Sequence, residues 1–120
     1  MKVTLYKILI SLILVFFFSC NKNAKFNKVK WNIEGDLKSF PNRENMLSDL
    51  IENQNLTGLY FEQITQKIGV PENKTSEENK IFFIIKTEYG TDIDPTYIKN
   101  LEIEFGKNGL VKKLKKTETN

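Results

Sequence analysis

Apolar residues follow three different rhythms along this chain. From Ile8 to Phe18 they run without a break except at Ser11. Between residues 43 and 68 they recur at helical spacing, and from Ile81 onward they alternate with polar residues. Met46, Leu47, Leu50 and Ile51 fall at i, i+1, i+4 and i+5, a single stripe that predicts a helix over residues 43–52. Pro41-Asn42 supplies its start, with Asn42 expected as N-cap. Phe61, Ile64 and Ile68 repeat the stripe and predict a second helix over 60–68. Gly69 should end it in a left-handed C-cap, and Pro71 prevents its resumption.

The period then drops to two. Residues 81–89 open with five apolar residues and then alternate, which suits a central strand. Leu101-Glu102-Ile103-Glu104-Phe105 alternates cleanly, so one face should be buried and the other wet. Gly106-Lys107-Asn108-Gly109 predicts a hairpin turn and residues 110–116 the return strand, with its lysines opposite Glu102 and Glu104. Upstream, Val29, Trp31 and Ile33 alternate with polar residues and suggest an additional leading edge strand. The expected fold class is α+β. Two short helices pack on one face of a three-stranded antiparallel sheet, four-stranded if the leading strand joins, in the order α-α-β-β-β.

The first apolar run has a different meaning. A bilayer-spanning helix needs about 20 apolar residues, and Ile8 to Phe18 is far shorter. Lys2 and Lys7 precede or open it, which describes a secretory signal peptide. Phe17-Phe18-Ser19-Cys20 resembles a bacterial lipobox, in which the cysteine thiol takes a diacylglyceryl group before cleavage. The expectation is a signal peptide over residues 1–19, a lipidated flexible tether over 20–27, one domain over 28–117 and a tail over 118–120. Cys20 is the only cysteine, so no intramolecular disulfide can form, and acylation would remove a reactive thiol. Each buried acyl CH₂ contributes about 0.8 kcal/mol, so two or three chains hold a protein firmly to a membrane.

Cleavage before Cys20 would leave 101 residues and remove two of the 18 basic side chains. The remaining 16 basic against 15 acidic residues give +1, too balanced for a nucleic-acid binder. The charge is nonetheless clustered. Lys22, Lys25, Lys28 and Lys30 follow the lipid site, and Lys112, Lys113, Lys115 and Lys116 lie near the C-terminus. Lysines beside an anchor contribute roughly 1 kcal/mol each against an anionic surface. A solvated tether and a solvated edge strand are the alternative.

Candidate chemistry is sparse. The chain has no histidine and its one cysteine is the lipid site, so nucleophilic dyads and triads are excluded. Asp92 and Asp94 form an Asp-x-Asp, but no glycine-bearing calcium-loop pattern follows them. Neither an enzyme, nor a metal, nor a cofactor, nor a small-molecule substrate is expected.

The stretch Gly58-Leu59-Tyr60-Phe61-Glu62-Gln63-Ile64-Thr65-Gln66-Lys67-Ile68-Gly69-Val70-Pro71 resembles the signature of the SmpA/OmlA lipoproteins, the BamE-like components of outer-membrane assembly. Gly58, Leu59, Gln63, Ile64, Ile68, Gly69 and Pro71 fall in register with it, while Tyr60 stands where that family has threonine. Trp31, Pro41, Arg43, Met46, Asp49 and Leu50 are similar in spacing to those of small lipoproteins of Bacteroidetes-type bacteria. The resemblance implies a lipid-anchored protein that docks on another envelope protein as a scaffold or assembly accessory. An inhibitor or immunity-type lipoprotein that binds a hydrolase or toxin is the alternative. Asn21, which is not the aspartate that resembles an inner-membrane retention signal, and the lack of an acidic pair after Cys20 point to the outer membrane, facing the periplasm. The candidate partner surface is Arg43, Tyr60 and Tyr97, because arginine and tyrosine most often carry interface energy. For Arg43 a local ion pair, with Asp49 as partner, competes with that role.

Overall fold

Both helical stripes become helices with the expected faces inward. The computed structural model describes residues 23–75, 77–91 and 94–120. After a short helix α1 (Lys28–Trp31) and a 3-10 turn (Asp36–Lys38) come α2 (Arg43–Asn53) and α3 (Phe61–Lys67). Four strands follow: β1 (Asn73–Thr75), β2 (Lys80–Tyr89), β3 (Pro95–Phe105) and β4 (Val111–Thr119). The strands pair antiparallel in the order β1-β2-β3-β4. Met46, Leu47 and Leu50 of α2 and Ile64 of α3 join Ile81, Phe83, Ile85, Leu101, Ile103 and Val111 in one core cluster. Those sheet residues alternate along β2 and β3 with less buried neighbours, so the helices cover one face.

The fold differs from expectation at its leading edge. Residues 28–31 are a helix turn, and the fourth strand is β1, between α3 and β2. Asn27 decides the matter locally: its side chain accepts the Lys30 N–H at 3.0 Å and so caps the turn. Of the three alternating apolar residues only Trp31 is buried, while Val29 and Ile33 stand 76 % and 47 % exposed. Trp31 packs edge-on against Phe26 and Phe83, with centroids 5.7 and 6.2 Å away.

Part of the segment expected as a tether, residues 24–27, is bonded to the domain. Ala24 N–H donates to Asn45 O at 2.8 Å, and Phe26 N–H donates to Asp49 Oδ2 at 2.7 Å. The chain is thus fixed to α2 from Ala24 onward. Asn42 makes no cap with its side chain, which donates instead to Lys30 O at 3.1 Å and ties α1 to the start of α2. At α3, Tyr60 forms half of a capping box, in which Gln63 Oε1 accepts its N–H at 2.8 Å.

Gly69 ends α3 with a positive φ of 126°, and a Cβ there would lie 2.6 Å from Asn32 Oδ1. Asn32 Nδ2 donates to both Lys28 O and Ile68 O, so this close approach joins α1 to the end of α3. The predicted hairpin is present, with Gly109 at φ 81° and its N–H bonded to Gly106 O at 3.0 Å. Only the glycine takes a positive φ, which marks a type I turn with a bulge rather than a two-residue Asn-Gly turn. In register Glu102 faces Lys115 and Glu104 faces Lys113.

Candidate functional site

Of the three residues expected to form a partner surface, Arg43 lies inside the protein. It is fully buried at the first turn of α2. Its Nε donates to Trp31 O at 2.9 Å, one terminal nitrogen to Glu72 Oε1 at 2.5 Å and Ile84 O at 2.9 Å, and the other to Glu72 Oε2 at 3.1 Å. The guanidinium lies 3.5 Å from the centroid of the Phe40 ring and 5.0 Å from that of Trp31. Burial lowers its pKa from the ordinary value, and the hydrogen bond and charge of Glu72 oppose that shift. A stripe position for a charged residue is awkward in an amphipathic helix. The structure answers it with an ion pair to Glu72, not with a partner and not with Asp49.

The ion pair completes a sheet edge. β1 pairs Asn73 with Phe82, and extending that register puts Pro71 opposite Ile84. Proline has no N–H to donate. Arg43 donates to Ile84 O in its place, and Glu72 Oε1 accepts the Ile84 N–H at 2.8 Å. Two side chains therefore satisfy the backbone of β2 where β1 stops.

Tyr60 is 53 % exposed. The segment that carries it is bonded to the start of β4, by Gly58 N–H to Val111 O and Val111 N–H to Leu59 O, at 2.9 and 2.8 Å. Tyr60 bridges to Leu110 and lies against Gly109 of the hairpin. That hairpin borders an open groove of about 390 Å³ lined by Phe61, Phe105, Lys74, Lys80 and Lys107 among others. Phe61 and Phe105 meet edge-on at 6.2 Å, and Lys74 Nζ stands 4.6 Å from the Phe61 centroid. Lys80 is paired with Glu78 and Glu102, and its pKa is raised, chiefly by the Glu102 hydrogen bond. Among the described residues neither Lys74 nor Lys107 forms an ion pair. This groove was not legible beforehand, since it joins a helix start, an edge strand and a hairpin far apart in the chain.

Tyr97 belongs to β3, which begins at Pro95. It pairs in register with Glu88 and is half-buried. Burial first, then a hydrogen bond to Glu118, push its phenol above the ordinary value. Eight residues of strand separate it from Phe105, roughly 26 Å at about 3.3 Å per residue. Tyr97 therefore stands well along the sheet from the groove that Tyr60 borders. Cys20 and Asp92 lie outside the described residues, and Asp94 is exposed. No family model, curated protein or solved structure matches the chain.

Proposed function

We propose that the chain is the precursor of a small lipoprotein, cut before Cys20 and acylated there, that binds another envelope protein without catalysis. The resemblance of Phe17-Phe18-Ser19-Cys20 to a lipobox supports the anchor. The resemblance of residues 58–71 to the SmpA/OmlA signature supports a scaffold or assembly accessory, and Asn21 with the lack of an acidic pair after Cys20 supports the outer membrane, facing the periplasm. One structural observation carries the binding role: exposed Tyr60 stands beside a groove that offers two phenylalanines and two cations without ion-pair partners among the described residues. Interface anchors combine such an aromatic payload with a polar tip, and an apolar cleft beside it accepts a partner side chain.

Two experiments test the reading. Palmitate labelling of cells should mark the wild-type chain and not Cys20→Ser; a label that persists in the variant overturns the anchor. Co-purification from detergent-solubilised envelope should recover membrane-assembly proteins with the wild type and less of them with Tyr60→Ala. Equal recovery by a Tyr60→Ala protein with an unchanged melting curve would move the binding surface elsewhere.

A further inference from the structure

The lipid anchor proposed above has a geometric consequence. Because Ala24 is already bonded to Asn45 O, only four residue steps separate Cys20 from the folded domain. A fully extended chain spans at most about 3.3–3.6 Å per residue, so the domain is held within roughly 14 Å of its acylated cysteine. A domain leashed that closely cannot turn freely above the bilayer. One of its faces must lie against the headgroups.

We infer that this face is the outer side of α1 with the segment before it, and that it docks on anionic phospholipid headgroups. α1 turns Trp31 inward, which leaves Val29 at the solvent apex of the turn, flanked by Lys28 and Lys30. Ile33 follows four positions after Val29 and is also exposed. Lys25 and Lys30 border the same shallow cavity as Ala24, the attachment point of the leash. Lys28 Nζ donates to Gln66 O at 2.7 Å, which holds that charge at the side of the turn. Two exposed aliphatic side chains, with Lys28 and Lys30 on either side of Val29 and Lys25 on the segment before them, form an interfacial surface, apolar enough to enter the headgroup layer and cationic enough to choose an anionic one. Glu34, the next acid along the chain, is close enough to act on Arg43.

The acylated full-length mature chain in vesicles tests this. Cys20 is the only cysteine, so with its thiol acylated an introduced cysteine is the sole labelling site. An environment-sensitive fluorophore at Ile33→Cys should emit at shorter wavelength, and resist iodide quenching, in phosphatidylcholine vesicles that contain phosphatidylglycerol. The same label at Asn108→Cys, in the hairpin turn, should remain water-exposed. Replacing Lys25, Lys28 and Lys30 together by glutamine should lower the docked-to-undocked ratio on the order of 100-fold. Vesicles of phosphatidylcholine alone, or high salt, should act in the same direction. Mass spectrometry of the same samples reads the acyl mass on Cys20. An unacylated Cys20 overturns the anchor and this docking together. An acylated chain whose Ile33 and Asn108 labels are quenched alike overturns the docking alone.

Discussion

Glu72 holds Arg43 and the edge of β2 with one carboxylate. Its Oε1 accepts from the guanidinium at 2.5 Å and from the Ile84 N–H at 2.8 Å. Removing one member of a buried pair leaves an uncompensated charge, a loss of about 3–5 kcal/mol. Glu72→Ala should therefore lower the urea midpoint severely, read by the fluorescence of Trp31, the only tryptophan. Arg43→Met combined with Glu72→Ala should cost less than the sum of the two single changes by at least about 1 kcal/mol, since the orphaned charge is gone. Additive losses would mean that the two side chains act independently. Arg43→Ala accordingly tests folding, and a lost pull-down with it says nothing about a binding surface.

Gly58 and Gly69 both take a positive φ, at 88° and 126°, yet only one is crowded. A Cβ on Gly58 meets nothing within 4 Å, whereas one on Gly69 meets the Asn32 amide at 2.6 Å. Gly58→Ala should cost about 1 kcal/mol of backbone strain. Gly69→Ala should cost more, because Asn32 must also release Lys28 O or Ile68 O. Thermal denaturation compares them, and equal melting temperatures would contradict the Asn32 contact.

The elements with a strong period were legible in the sequence. The Met46–Leu50 and Ile64–Ile68 stripes, the strand from Ile81 and the Gly106–Gly109 turn all stand where spacing put them. What spacing missed depends on tertiary partners. Alternation of Val29, Trp31 and Ile33 imitates a strand, but Asn27 caps the turn and Trp31 alone enters the core. β1 is three residues with no apolar pattern, placed by its pairing with the edge of β2. The sole arginine read as a surface residue because its partner lies 29 residues away, past a helix and a Gly-x-Pro stop.

Ile64 and Ile103 are fully buried on opposite sides of the helix–sheet core, while Lys115 is exposed on β4. Ile64→Ala and Ile103→Ala should each cost roughly 2–4 kcal/mol, from lost transfer energy and the cavity left behind. Lys115→Ala should stay within about 0.5 kcal/mol. Urea midpoints that coincide for all three would refute this core.

Asp49 links pH to the docking of the N-terminal segment. Its pKa is held below the ordinary carboxylate value, first by the Phe26 N–H and then by Asn53, with Gln54 adding less. A carboxylate with a folded pKa below its unfolded value of about 3.9 stabilises the fold fully above that value. The contribution fades as pH falls through the lower folded pKa, so acid should weaken the attachment of Phe26 to α2. In Asp49→Asn the amide must turn an N–H toward one of these donors, whichever way it is flipped, since Oδ1 receives Asn53 and Oδ2 receives both Phe26 and Gln54. The variant should be less stable than wild type near neutrality, and the gap should narrow as pH drops below 4. Hydrogen exchange of the Phe26 amide, followed from pH 7 downward, reports the local event: protected in the wild type at pH 7, faster in the variant, converging in acid. A stability gap that is constant across that range would mean that Asp49 holds the segment by shape alone and not by its charge.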